Sequence, residues 1–377
     1  MNIAILGAGI AGLTTAISLR QAGHAVTVFE SAPSIRGVGA GLILAVNAMQ
    51  VYRRLGLHEA ILARGRNLEF FNVDARTGRR LNRIDGVELT RRHGAPNVAI
   101  HRRDLHAVLL AQLDPAHVHA GKRAARTEET AGTVTVHFDD GSRRSCDAVV
   151  AADGIHSAIR RQLVPAARER YAGYTCWRAV VAAPELDSRE TTETWGRPGR
   201  FGAVPLAGGD TYWFACVNAP ARDTRLQAWR VADLQAHFSG YPEPIPRLLA
   251  ATRDTDLLWN DINDLAPLDR FAFGRTVLVG DAAHATTPNM GQGACQAVED
   301  AWVLADCLRA QPNPDAAFAA FEQRRLARTR WIVESSWNLG KIAQWENPLA
   351  CALRDWAVRR TPQSVNANLA KRLYDWS

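Results

Sequence analysis

The sequence predicts an α/β fold: a Rossmann-like domain that carries an inserted antiparallel β-sheet and ends in helices. Three observations predict it. A glycine-rich turn joins a short apolar strand to an apolar helix at the N-terminus. Aromatic-rich β-segments occupy the middle of the chain, and helical periodicity takes over after residue 294.

The first thirty residues read as one βαβ unit. Residues 3–6 form an apolar strand, and Gly7-Ala8-Gly9-Ile10-Ala11-Gly12 forms the turn. Leu13, Ala16, Ile17 and Leu19 then recur at helical spacing up to Gly23, a C-cap residue. Residues 25–29 are the second strand, ending on Glu30. Residues 133–138 and 143–148 read as a hairpin turned at Asp139-Asp140-Gly141, leading into the apolar strand 148–152. From about Tyr174 to Val217 the β-segments are rich in aromatics, as in Thr211-Tyr212-Trp213-Phe214, and read as a separate antiparallel sheet. Residues 276–279 return to the first domain. Ala294, Ala297, Val298, Ala301, Leu304, Ala305 and Leu308 mark one helix face. After Asp315 the chain reads as helix, interrupted near Pro348 and Pro362. The expected division is 1–65, 98–165 and 274–340 for the nucleotide-binding domain, 66–97 and 166–273 for the sheet domain, and 341–377 for a C-terminal helical segment.

Composition narrows the class. At 377 residues the chain suits two interleaved domains, and its hydrophobic share of 47% is that of an ordinary globular protein. No stretch approaches the roughly 20 apolar residues of a membrane helix, and no signal-peptide pattern opens the sequence, so a cytoplasmic protein is expected. The six cysteines (Cys146, Cys176, Cys216, Cys295, Cys307, Cys351) show no Cys-x-x-Cys spacing, which argues for reduced thiols and against a metal site. The net charge of +7 comes without a basic block or a nucleic-acid motif, so it reads as a surface that attracts anionic small molecules.

The turn Gly7 to Gly12 sits where a dinucleotide fingerprint must, after a strand and at the start of a helix. Gly7 permits the tight turn, Gly9 lets backbone amides approach a pyrophosphate, and Gly12 allows close helix–strand packing around Ala11. Glu30, at the end of the second strand, is placed to accept from ribose hydroxyls, with Ser31 beside it. An acid there favours FAD or NAD over NADP. A turn without ligand would leave Glu30 unexplained.

Two further segments separate FAD from NAD. Asp153-Gly154-Ile155-His156-Ser157-Ala158-Ile159-Arg160 follows one apolar strand, and Gly280-Asp281-Ala282-Ala283-His284 follows another and leads through Pro288-Asn289-Met290-Gly291-Gln292-Gly293 into a helix. With the fingerprint, these resemble the group A flavoprotein monooxygenases, the family of para-hydroxybenzoate, salicylate and urate hydroxylases. The resemblance spans nearly the whole chain, weakening in the substrate sheet and beyond about residue 340. It implies a para-hydroxybenzoate-hydroxylase-type FAD-binding domain and non-covalent FAD. Asp281 would accept from the ribityl chain, and Asp153 would support the pyrophosphate region and the docking of NAD(P)H. Backbone amides of Gly291, Gln292, Gly293, Ala294 and Cys295 would face the pyrimidine edge of the flavin, and Pro288 would border the space above the ring. Arg102 matches the family's Arg-x-x-Leu element, and Ala124 the position whose backbone meets the adenine. His284 is expected to be structural.

The activity implied is that of a single-component monooxygenase. NAD(P)H, a transient co-substrate, and O2 would serve to hydroxylate or epoxidise a small aromatic or conjugated substrate through a C4a-hydroperoxyflavin. The urate-hydroxylase branch is nearest in pattern and suggests Trp177, Arg200, Tyr212, Trp213, Pro288 and Asn289 at the substrate, with Tyr171, Tyr174 and Trp177 fitting it too. Asn289, Arg200 and Tyr212 are the candidates for a catalytic part. Position 289 carries an acid in that branch, and its replacement by an amide argues against urate itself. A reductase or oxidase of the same fold, of the isoprenoid-lipid type, remains the alternative enzyme, and a flavin-binding sensor the non-enzymatic one. Halogenases are disfavoured by the missing Trp-x-Trp-x-Ile-Pro segment and disulfide reductases by the missing Cys pair. A monomer or homodimer is expected. The stretch 345–377, with Trp356, Leu369, Leu373, Tyr374 and Trp376, reads as amphipathic, basic helices packed on the body, or facing a membrane or a second copy.

Overall fold

The computed structural model describes residues 1–35, 40–130, 132–186 and 188–375; Trp376 lies outside them. The N-terminal unit is β1 (Asn2–Leu6), α1 (Ile10–Gln21) and β2 (Ala25–Phe29). Further along come β3 (Ala148–Ala151), β4 (Glu169–Ala182), β5 (Glu190–Trp195), β6 (Arg200–Pro205), β7 (Asp210–Asn218), β8 (Leu258–Leu265) and β9 (Thr276–Leu278). Four helices close the chain: α2 (Gly293–Ala310), α3 (Pro314–Ala343), α4 (Pro348–Arg359) and α5 (Gln363–Tyr374).

The nucleotide-binding sheet runs in the order 272–273, β9, β3, β1, β2, 118–119. Its pairs are parallel except that between 272–273 and β9. β3 and β9 are buried at every position, as parallel strands covered on both faces are. The expected hairpin is present: Thr133–Phe138 pairs antiparallel with Arg143–Cys146, and Gly141 takes a φ of +80° at the turn. It builds a small sheet of its own with Ala124–Thr130.

The second large sheet has seven strands in the order β8, β4, β7, β6, β5, 70–75, 80–85. It is antiparallel apart from β5 and Phe70–Ala75, which run parallel. Those two strands come from separate excursions of the chain, so no hairpin links them.

Alternation along β4, β6 and β7 gives this sheet two faces. Trp177, Ala179, Val181, Phe201, Trp213 and Ala215 pack against the helical segment that supplies Leu226, Leu234, Phe238, Leu248 and Leu249. Tyr174, Cys176, Arg178, Val180, Arg200, Val204, Tyr212 and Phe214 alternate with them and lie on the other face. That face meets the nucleotide-binding domain: a Cβ on Gly41 would lie 2.7 Å from the Tyr212 side chain. The breaks near Pro348 and Pro362 fall where expected, with Pro348 opening α4 and Pro362 preceding α5.

Candidate active site

The glycine turn is shaped by contact on one side and open on the other. Gly7 has a φ of +106°, and a Cβ there would lie 2.4 Å from the Ala152 carbonyl oxygen. A Cβ on Gly12 would lie 1.9 Å from the Gly7 carbonyl oxygen. At Gly9, by contrast, a Cβ would meet nothing within 4 Å. The first two glycines are required by the fold, and the third leaves a free approach to the amides of α1.

No side chain caps α1 or α2, and neither has an acid in its first turn. Both therefore present unpaired N–H groups and the positive end of the helix dipole. The two helices are held together at the Gly280–Asp281 turn. A Cβ on Gly280, whose φ is +57°, would lie 2.8 Å from the Ala11 Cβ and 3.3 Å from the Ala297 Cβ. Asp281 is exposed next to this wedge.

Glu30 bonds directly to the turn. Its Oε2 accepts from the Ala8 amide at 2.7 Å, and its Oε1 accepts from the Ala32 amide at 2.8 Å and from the Ser31 hydroxyl at 3.1 Å. Ala124 opens the strand that follows Lys122, whose amide donates to the Glu30 carbonyl at 2.7 Å. Arg102 is exposed at the first turn of the helix Arg102–Leu110. One turn further on that helix, the His106 ring nitrogen lies 2.8 Å from the Ala8 carbonyl oxygen. Sequence reasoning missed His106, although its i+4 spacing from Arg102 was the available signal.

The two Asp motifs are bridged by Arg160, which donates to the Ala282 carbonyl at 3.3 Å. Asp153 Oδ2 accepts from the Ala158 amide at 3.0 Å, while Asp153 Oδ1 and Arg160 Nε are buried without a protein partner. Burial pushes the Asp153 carboxyl above its ordinary range. Open space at Gly9, two uncapped helix ends and an orphaned polar pair between them fit a dinucleotide that brings acceptors, donors and negative charge.

Beneath the α2 end, Gln292 turns its side chain inward, its Oε1 accepting from Asn47 at 3.0 Å and from Gln296 at 3.1 Å. Its backbone, with those of Gly293 and Ala294, is left for a ligand. Gly291 is exposed in a left-handed conformation, and Pro288 is exposed beside it. His284 is buried against Asp300 at 2.6 Å, and Asp300 accepts from the Gly280 amide at 2.8 Å and from Arg325 at 2.7 Å. Glu299 accepts from the same Arg325 at 2.5 Å. This buried network supports the Gly280 turn from below, the structural part expected of His284.

The substrate sheet reaches the same place through Arg200, which is almost wholly buried. Its guanidinium donates to Glu193 Oε1 at 2.8 Å, Gln344 Oε1 at 2.6 Å and Asn289 Oδ1 at 2.9 Å. Tyr174 donates its hydroxyl to the same Asn289 Oδ1 at 3.0 Å. The Asn289 Nδ2 donates to Thr287 Oγ1 and to the Ser336 carbonyl, each at 2.9 Å. The amide of Asn289 is thus saturated. A Cβ on Gly340 would lie 2.4 Å from that Nδ2, so the close approach of α3 depends on this glycine. Gly340, Glu193 and Gln344 are further residues that sequence reasoning missed, and no local pattern marked them.

Two expectations are corrected. Trp177 and Trp213 were expected at the substrate, but both are fully buried on the opposite face of the sheet. Trp177 stacks on Trp229 with ring centroids 5.2 Å apart, and Trp213 stacks on Phe201 and donates to Thr252 at 2.9 Å. Strand alternation is the cause: Cys176 and Tyr212, their neighbours in sequence, point to the site side. Tyr212 is there, pressed by Gly41, and burial raises its phenol well above the ordinary range. Burial does the same to Tyr174, so both hydroxyls stay protonated.

Comparison with known proteins matches residues 1–336 to a family described as "FAD binding domain". The chain is 39% identical over 360 residues to an aurachin C monooxygenase/isomerase of Stigmatella aurantiaca, covering 95% of this chain and 94% of that one. It is 35% identical over 379 residues to a 2-heptyl-3-hydroxy-4(1H)-quinolone synthase of Pseudomonas aeruginosa, covering 99% and 98%. Among solved structures it resembles Klebsiella pneumoniae HpxO complexed with FAD and uric acid, at 30% identity and a TM-score of 0.92, covering 99% of this chain and 97% of that one.

Proposed function

The chain belongs to the FAD-binding domain family and is an FAD-dependent aromatic monooxygenase; on that premise we propose that its substrate is an electron-rich bicyclic N-heteroaromatic of the 4-quinolone type bearing an aliphatic chain. One observation carries this reading. The site face of the sheet sets polar groups, Arg200 with Asn289 and Tyr174 and, further along, Arg178 against Tyr212, next to an apolar wall. Val204 and Leu206 are buried there, and Val180, Tyr212, Phe214, Phe71 and Ile43 pack against them. A ligand polar all round, such as urate, would leave polar edges unpaired against that wall. A quinolone ring with an alkyl substituent matches both parts, and one of the relatives named above is a synthase of a 2-heptyl quinolone.

Cofactor roles are proposed on the same geometry. Gly7, Gly9, Ala11 and Gly12 with α1 would hold the pyrophosphate. Glu30 and Ser31 would take the ribose, Ala124 the adenine, and Arg102 an FAD polar group. Asp153 would support the pyrophosphate region and Asp281 would accept from the ribityl hydroxyls. The backbone at Gly291, Gln292, Gly293 and Ala294 would face the pyrimidine edge, with Pro288 above the ring. When bound, FAD supplies the redox chemistry that takes a hydride from NAD(P)H and delivers one oxygen atom of O2.

What this chain's own residues do follows from their bonds. Arg200 is fixed on three sides and acts as a positive field. It holds the Asn289 carbonyl and leaves the substrate to be oriented by shape and by residual contacts at Tyr212. Three of the groups are not bases at neutral pH: Asn289 is an amide, and Tyr174 and Tyr212 are held protonated. A ring that arrives already activated, as a 4-quinolone does through its nitrogen lone pair, needs no base from these three. The apolar wall excludes water from the reacting face.

The test is a panel of 2-alkyl-4-quinolones, urate, salicylate and an aminohydroxybenzoate, scored for stimulated NAD(P)H oxidation and for oxygen incorporated from labelled O2. Expected is labelled product from the alkylquinolones, at a rate that rises with chain length. Turnover of urate or a benzoate with none of a quinolone overturns the reading.

A further inference from the structure

The helix α4 is turned inside out relative to an ordinary surface helix. Its inward side carries Cys351 and a charged residue, Arg354, only 3% exposed. Arg354 donates to the Ala343 carbonyl at 3.0 Å and lies over the Trp195 ring at 5.2 Å. Those contacts fix the rotation of the helix about its axis. They leave Leu349, Leu353 and Trp356, at i, i+4 and i+7, facing solvent with exposures of 82%, 61% and 55%. In α5, Val365 and Leu369 are exposed at the same spacing. Large apolar side chains on one stripe, with an arginine beneath them, are not explained by folding.

The exposed charges on α4 and α5 are basic, with Glu346 before α4 and Asp375 after α5 the exposed acids at their ends. Lys341, Arg359, Arg360, Lys371 and Arg372 are exposed, and the Arg360 guanidinium lies 4.5 Å over the ring of Trp356. Asp355, the one acid on α4, is neutralised by Arg354 at 2.9 Å. We propose that α4 seats this enzyme on an anionic lipid surface, with Leu349, Leu353 and Trp356 in the acyl boundary and the flanking cations on the headgroups. Leu and Trp on one face with Arg and Lys at the rim is the chemistry that an interfacial helix needs. No helix among the described residues is long and apolar enough to cross a membrane, so the contact is in-plane. A second copy of the chain fits less well. An antiparallel two-fold contact along α4 would offer one acid, Glu346, to the two cations Arg359 and Arg360 of the other copy, whereas a layer of anionic headgroups meets them all.

The inference does not depend on the substrate proposed above. It is read by flotation of the full-length holoenzyme with phosphatidylcholine vesicles that contain phosphatidylglycerol, beside vesicles of phosphatidylcholine alone. Wild type should bind the anionic vesicles about tenfold or more tightly than the neutral ones, and high salt should weaken it. Leu353→Glu combined with Trp356→Glu should lose about tenfold or more of that binding, while flavin content and NAD(P)H oxidation in solution stay unchanged. Three results overturn the inference: no binding to anionic vesicles, equal binding by the double variant, or a wild-type dimer that the double variant dissolves. The last would assign the stripe to a second copy of the chain.

Discussion

Arg200 and Asn289, 89 positions apart, are joined by a 2.9 Å hydrogen bond from the guanidinium to the amide oxygen, and this bond ties the substrate sheet to the segment that leads into α2. It is one of three bonds that fix Arg200 and one of four that saturate Asn289. The polar point of the site is therefore prearranged by the protein, and substitutions around it should act through geometry before they act through chemistry.

Asn289→Asp tests that saturation. A carboxylate would keep the bonds from Arg200 and Tyr174 but would set an acceptor against the Ser336 carbonyl, where the amide now donates at 2.9 Å. Expected is a loss of about 1–3 kcal/mol in folding stability, measured by denaturant midpoint, with FAD affinity nearly unchanged. Stability equal to wild type would show that the Ser336 contact contributes nothing.

Glu193→Gln should destabilise the sheet at Arg200, because Glu193 is the carboxylate that pairs with this buried guanidinium. Glu193 is itself part-exposed, so about 3 kcal/mol, the low end for a broken buried pair, is an upper bound. Peroxide release per NAD(P)H consumed should rise as Arg200 shifts. A variant as stable and as well coupled as wild type removes the assigned role.

Two alanine substitutions in one turn should separate fold from ligand. Gly9→Ala meets nothing in the protein, so folding should persist while FAD affinity falls by about tenfold or more. Gly12→Ala would place its Cβ against the Gly7 carbonyl and should unfold or severely destabilise the domain. Melting curves with and without added FAD distinguish the two; identical behaviour contradicts the account.

Asp281→Ala should lose FAD without losing the fold, since Asp281 is exposed and its backbone turn is held by Gly280 and Asp300. A lost charge-assisted hydrogen bond corresponds to about 1.5–3 kcal/mol, one to two decades in affinity, read by flavin fluorescence titration. Unchanged affinity in a folded variant refutes the ribityl contact.

Acid should act through the network under the turn. Burial alone would raise the Asp300 carboxyl, but His284 and Arg325 beside it hold it well below the ordinary range, and Arg325 and Arg328 likewise lower Glu299. A carboxyl lowered in the folded state contributes stability that is fully present above its unfolded value of about 4 and is lost as pH falls through the folded value. The denaturant midpoint should therefore hold from neutral pH to about 5 on this account and drop below about 4. Asp300→Asn should lower stability at neutral pH and flatten the acid slope. An unaltered slope would place the acid sensitivity elsewhere.

The sequence by itself determined the nucleotide-binding half. Gly7, Gly9, Gly12, Glu30, Asp153 and Asp281 each sit at a strand end or helix start, and local spacing suffices to place a backbone turn there. The order of strand, turn and helix is written in periods of two and of 3.6 residues, which a single segment displays. Only the tertiary structure decided the substrate half. Trp177 and Tyr174 look equally suited to a ring ligand in sequence, yet alternation sends one to the helical core and the other to Asn289. Which face of a sheet meets the second domain is set by packing between distant segments, and no residue in the strand records it. The same holds for Arg200, Glu193, Gln344 and Gly340, which β6, β5 and the end of α3 bring together: Glu193 and Gln344 hold Arg200, and Arg200 and Gly340 meet the Asn289 amide. It holds too for Arg354, whose burial turns the leucines and the tryptophan of α4 outward.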